Sequence, residues 1–135
     1  MNIVDTSVVT KWLFREKYSD EALLVLENEK EFFAPGYLRI EFFSSVSKKV
    51  RAGFLEIQKS KIILRQFQKL SLHFVPYSEL EYLAFEISTE YPITFYDAIF
   101  IVTAIDQNKK LYTFDFKLKK SVNNTELDEI VIIPA

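Results

Sequence analysis

At 135 residues, with 49% hydrophobic and 27% charged residues and only 2 Gly and 4 Pro, the chain has the composition of one globular domain, residues 1–135, and not of a disordered or fibrous protein. No cysteine and one histidine, His73, exclude disulfides, thiolate metal sites, catalysis by a histidine pair and any metal site built on several His ligands; a metal here must be held by oxygen, which favours Mg²⁺ or Mn²⁺. A net charge of −2, from 17 basic and 19 acidic residues, argues against a protein that coats nucleic acid by charge alone. It leaves room for an enzyme that meets a few phosphates through bound metal and a local basic patch.

In chain order, Met1–Asp5 reads as a buried strand, with a helix from about Thr6 and another from Ser19 through DEALLVLENE. Phe32–Ala34 is a short strand closed by Pro35. A long helix over Tyr37–Ala52 stops at Gly53, a C-terminal signal. A further helix covers Leu55–Lys69, and Leu72–Val75 is a strand closed by Pro76. Ser78-Glu79-Leu80-Glu81 has the spacing of a capping box opening the next helix, which Pro92 ends. Thr94–Gln107 is a strongly apolar helix, buried nearly all round, and Lys110–Thr113 and Ile130–Ile133 are the last strands. Strands separated by helices predict an α/β fold: a central parallel sheet of four to five strands with helices on both faces. No linker, repeat or low-complexity segment interrupts it. No apolar run is long enough to span a bilayer, and MNIVDTSVV has neither a basic leader nor a small-residue cleavage site, so a cytoplasmic protein is expected.

In a doubly wound sheet ligands bind beyond the carboxyl ends of the strands, at a topological switch point. Asp5 and Asp115 both follow strands directly, although an Asp between strand and helix is also the ordinary helix cap. Asp97 lies three residues after Thr94, which fits a capping box, yet it opens the most apolar helix and sits at that helix's positive end. Glu41 lies inside a helix, beside the stripe Leu38, Phe42, Val46 and Val50 that Phe43 widens, and next to Ser44, Ser45 and Lys48. It is either a solvated Glu or a ligand with small neighbours. Four gathered carboxylates repel one another unless cations stand between them. Mg²⁺ or Mn²⁺ would do so, and would make hydroxide available for in-line attack on a phosphodiester without His, Cys or Ser.

These acids, in this order, resemble a PIN domain, and the chain is similar end to end to VapC-type toxins of toxin–antitoxin pairs. The resemblance is carried by Asp5-Thr6-Ser7-Val8 with Lys11-Trp12-Leu13; by Ala34-Pro35, Glu41 and Arg51-Ala52-Gly53; by Tyr96-Asp97-Ala98-Ile99-Phe100 with Thr103-Ala104; and by Leu111-Tyr112-Thr113-Phe114-Asp115. It implies an endoribonuclease whose Asp5, Glu41, Asp97 and Asp115 bind one or two divalent ions, with Thr6 and Thr113 in support. It also implies an RNA substrate, a homodimer and an inhibitory antitoxin. Ser44 stands where many members have Asn, and Phe116 and Lys117 where some have a further acid, so the number of metals is left open.

Lys117, Lys119 and Lys120 could steer RNA phosphates toward the metals or simply form a solvated helix end. Lys48, Lys49 and Arg51 fit the helix dipole, and Trp12 and His73 read as packing or surface residues. The 13 Phe and 7 Tyr exceed what a small core needs, placing some at a subunit or partner interface unless the core is unusually bulky. A haloacid-dehalogenase-like phosphatase needs an acid two residues after Asp5, where Ser7 stands, and a response-regulator receiver fails on spacing. The stronger rival is an inactive PIN-like domain that serves binding or assembly, against which stands the presence of all four acids.

Overall fold

The computed structural model describes residues 1–135. Its strands are β1 (Ile3–Val4), β2 (Phe32–Pro35), β3 (Leu72–Val75), β4 (Leu111–Tyr112) and β5 (Val131–Ile132). They form one sheet of order β3-β2-β1-β4-β5, parallel throughout. The helices are α1 (Thr6–Leu13), α2 (Ser19–Asn28), α3 (Tyr37–Arg51), α4 (Ile57–Gln68), α5 (Glu81–Glu90), α6 (Phe95–Gln107) and α7 (Phe116–Val122). The expected α/β architecture is therefore the one observed, with five strands.

The chain steps one way across the sheet from β1 to β3, then returns past β1 to β4 and β5. Right-handed crossovers turn that reversal into helices on both faces. Helices α1 to α4 pack among themselves and on β1 and β2, whereas α6 packs against α5 and crosses β2, β1 and β4. The switch point lies between β1 and β4, whose carboxyl ends lead directly to Asp5 and, beyond Thr113, to Asp115.

Burial explains why each element forms. Ile3 and Val4 are fully buried because β1 has neighbours on both edges and helices on both faces. On α3, Leu38, Phe42 and Val46 recur one turn apart and are buried, and Phe43, though 37% exposed, flanks the stripe with its ring edge-on to the buried Phe67 on which Phe42 stacks. On α6 seven consecutive residues, Ala98 to Ala104, are buried; this helix is the spine of a 26-residue core.

The capping box expected at Ser78 does not form. Ser78–Leu80 winds as a 3-10 turn that runs straight into α5, and α5 has no side-chain cap bond. A cap needs extended backbone at the capping residue. Leu80, with φ −96° and ψ −2°, is already helical, and Ser78 lies inside the turn. The outer residues expected in β1, β4 and β5 also fall outside the strands. At β1 and β4 the chain turns early because Asp5 and Asp115 begin the next helices.

Candidate active site

Asp5 leaves β1 in extended backbone and caps α1. Its Oδ1 accepts from the Ser7 backbone N–H (3.0 Å), the Val8 backbone N–H (3.3 Å) and the Ser7 hydroxyl (2.5 Å). Its Oδ2 accepts from the Thr113 hydroxyl on the neighbouring strand's exit. The same two hydroxyls take bonds from that exit in return: Phe114 N–H donates to Ser7 Oγ (2.9 Å) and Asp115 N–H to Thr113 Oγ1 (2.9 Å). Residues more than a hundred positions apart are thus stitched around one carboxylate. Burial pushes the Asp5 carboxyl up to about 6, against the pull of these hydrogen bonds, and the charge of Asp97 adds to the rise.

Asp115 caps α7 by accepting from Leu118 N–H (2.9 Å). Both strand-end acids are therefore helix caps, as one reading of the sequence had it, and both also face a common space. Asp97 differs. The α6 cap is Thr94, whose Oγ1 accepts from Asp97 N–H (3.1 Å), while the Asp97 carboxylate accepts no backbone hydrogen bond. The capping box is half-made, and its acid is left to the cavity. Burial raises the Asp97 pKa, opposed by the Thr94 hydroxyl and reinforced by Asp115. Glu41 reaches in from α3, held by the Thr6 hydroxyl, which donates to Oε1 (2.7 Å). Burial raises its pKa too, and Asp97 adds to the shift.

The four acids line one cavity of about 160 Å³, together with Thr6 and Ser7 and with Phe100 and Leu118 as apolar walls. No lysine or arginine lines it. As placed, no three of the acids form a group that could hold a metal ion; the structure brings them to one cavity without closing them into a coordination shell. Two larger recesses share its residues. One, of about 500 Å³, runs along α3 past Tyr37, Glu41, Ser44, Ser45, Lys48 and Lys49. The other, of about 440 Å³, contains Thr94, Asp97, Asp115, Lys117 and Ser121.

Of the lysines singled out from sequence, Lys117 lines that second recess. Lys119 does not face it: its Nζ donates to the Asp128 and Val131 carbonyls (2.8 and 2.6 Å) and pairs with the Asp128 carboxylate, so it staples α7 to the chain before β5. Lys120 is exposed in the last turn of α7 and lines neither the cavity nor its two recesses. Trp12 is a packing residue, its ring tilted against Phe32 and its Nε1 donating to the Ala22 carbonyl, and His73 sits on the surface beside Glu31. Sequence reasoning missed Ser7, whose hydroxyl between Asp5 and Phe114 leaves no spacing signal. It also missed the stacked rings of Tyr37 and Tyr96, each close in sequence to one of the acids.

A family model, the PIN domain, matches residues 3–122. The chain belongs to the PIN-domain family. Among solved structures, a toxin–antitoxin complex from Klebsiella pneumoniae is similar at 18% identity and TM-score 0.66, covering 100% of this chain and 98% of that one. VapBC2 from Rickettsia felis, bound to a DNA fragment from its promoter, is similar at 18% identity and TM-score 0.71, covering 99% and 98%. VapC20 of Mycobacterium tuberculosis, a sarcin–ricin loop cleaving toxin, is similar at 14% identity and TM-score 0.66, covering 93% and 99%. At these identities the likeness is one of fold. No curated protein sequence matches the chain.

Proposed function

We propose that this PIN-domain chain is a divalent-cation-dependent endoribonuclease, the toxin of a VapBC-type toxin–antitoxin pair, with Asp5, Glu41, Asp97 and Asp115 as its metal-binding and catalytic acids. The observation that carries the reading is that four acids from four separate segments line one cavity at the switch point, with no basic side chain among them. The donor set suits Mg²⁺ or Mn²⁺, because every polar group there is a carboxylate or hydroxyl oxygen. The raised pKa values of Asp5, Glu41 and Asp97 point the same way, since burial and mutual repulsion are what a cation relieves.

When bound, such an ion would supply hydroxide near neutral pH and offset charge on the phosphate under attack. The chain's own residues do the rest. Ser7 and Thr113 hold Asp5 in one orientation, Thr6 aims Glu41, and α6 fixes the backbone of Asp97 by its burial. Thr6 and Thr113 therefore serve as positioning residues, and Lys117, which shares a recess with Asp97 and Asp115, would meet the RNA there. A cationic antitoxin side chain would complement the cavity. Exposed Phe54, Tyr82 and Phe85 supply apolar surface for a homodimer; light scattering that gives a clean monomer at micromolar concentration would remove that part.

The purified protein should cut single-stranded or loop RNA in Mg²⁺ or Mn²⁺ and stop in EDTA. Undiminished cleavage in EDTA, with contaminating nucleases excluded, overturns the reading. A non-enzymatic PIN-like binding module is the second reading, favoured by the separation of the acids. It requires that no divalent ion support cleavage in the same assay.

A further inference from the structure

Resting on the ribonuclease reading, we propose that the stacked Tyr37–Tyr96 pair is a platform for an unpaired RNA base beside the scissile phosphate. On this proposal Lys48 and Lys49 grip the backbone on the far side of Glu41. Tyr37 lies one helical turn before Glu41 on α3, and Tyr96 immediately precedes Asp97 on α6. Their rings are nearly parallel, 14° apart, with centroids separated by 5.2 Å, so the pair bridges the two helices that carry two of the acids. Tyr37 covers one face of Tyr96, and Tyr96 is still 55% exposed. Phe95 meets the ring edge-on at 74°, which holds its plane. A rigid, wet-sided tyrosine at the rim of an acidic cavity is suited to stacking on a nucleobase, an attraction that does not depend on which base is offered.

The other end of the same helix face carries positive charge. Residues 37, 41, 44, 45 and 48 share one side of α3 at 100° per residue. The two serines leave the groove open between Glu41 and the lysines. Lys48 and Lys49 form no ion pair with any carboxylate, and Lys49 Nζ lies 5.0 Å above the Phe14 ring. From Tyr37 to Lys48 the helix rises about 16 Å, enough for a short single strand to lie along it with its phosphates passing Glu41. A chain of net charge −2 with an acidic cavity repels RNA at long range. Stacking at one end and two lysines without a carboxylate partner at the other supply the local attraction.

The test uses a short single-stranded RNA with 2-aminopurine at one position at a time, bound to the full chain in Ca²⁺ buffer, with cleavage followed separately in Mg²⁺. The fluorophore should be quenched at a position next to the cut and unaffected in a fully duplexed RNA. Tyr96→Leu should abolish the quench and weaken binding about 5- to 150-fold, whereas Tyr96→Phe should keep both. Lys48→Gln with Lys49→Gln should keep the quench at saturation and reduce the salt slope of binding by about 1.4. Cleavage by the wild type without a Tyr96-dependent quench overturns the platform and leaves the nuclease standing. No cleavage in Mg²⁺ or Mn²⁺ refutes the nuclease, whatever the quench. If Tyr96→Leu dissociates a dimer by light scattering while RNA affinity holds, the ring belongs to a subunit interface and the platform is overturned.

Discussion

The two ends of the β1–β4 pair treat carboxylates in opposite ways. At the amino end, Glu29 is surrounded by donors: the Asn2 backbone N–H (3.2 Å), the Asn2 amide (3.2 Å) and the Tyr112 hydroxyl (2.7 Å). The Asn2 amide oxygen in turn accepts from Lys110 N–H (2.9 Å), so the network ties the first and fourth strands together. At the carboxyl end, four acids face one cavity, and three of them have pKa values raised by burial and by one another. At the amino end donors surround the charge and hold the fold, whereas at the carboxyl end burial outweighs even the four donors given to Asp5. The carboxyl end holds charge at a cost, as sites built for function commonly do.

The largest test of this contrast is activity. Asp97→Asn should lower RNA cleavage about a thousandfold, whereas Glu29→Gln should leave the rate per folded molecule unchanged. Equal losses in the two variants would erase the distinction between the ends.

Stability against pH comes next. Asp5 holds its proton more tightly in the folded chain, with a pKa of about 6 against 3.8 unfolded. Its ionisation therefore costs nothing below about pH 3.8. The cost grows as pH rises through 6 and is complete above it, reaching about 3 kcal/mol in metal-free buffer. Asp5→Asn keeps a capping oxygen and removes the ionisation. The stability difference between variant and wild type should thus move in the variant's favour by about that amount between pH 4 and pH 7.5, measured by urea unfolding in EDTA. A constant difference across that range would mean that Asp5 is not strained by its burial.

A third comparison turns on metal. Asp97→Ala should leave stability unchanged or raise it in EDTA, because the carboxylate caps nothing. In Mg²⁺ at a hundred times its dissociation constant the wild type should gain about 2.7 kcal/mol that the variant lacks. Glu29→Gln should be destabilising by about 1 kcal/mol in both buffers. Thermal unfolding decides, and an Asp97→Ala variant weakened equally with and without Mg²⁺ would make Asp97 structural.

The smallest effect sharpens the assignment within α6. Thr94→Ala removes the actual cap and should cost about 1 kcal/mol regardless of metal. If Asp97→Ala carries that cost and Thr94→Ala carries none, the acid and not the hydroxyl is the cap.

Much of this was legible in the sequence where the signal was local and periodic. The apolar run Ala98 to Ala104 could only be a buried helix, and acids placed directly after strands had to reach the sheet's carboxyl edge. Ser78 misled because capping-box spacing says nothing about whether the backbone arrives extended, and here it arrives already wound. Lys119 read as an RNA contact or a solvated helix end, and its actual partners, Asp128 and Val131, come from a segment whose approach no helical pattern records. Ser7 and the Tyr37–Tyr96 stack stayed hidden for the same reason: each depends on two elements meeting in space.

The stitch around Asp5 also sets an order in time. Its Thr113 partner lies 108 residues downstream, and β1 pairs with β4 only after β2, β3 and the α5–α6 crossover are in place along the chain. Contacts that span most of a chain close late, since their loop entropy must be met first. A protein leaving the ribosome amino end first can bring Glu41 to Thr6 while Asp97 and Asp115 are still unmade. The cavity closes only when the fourth strand pairs beside the first, so a half-made chain carries only half of the candidate site.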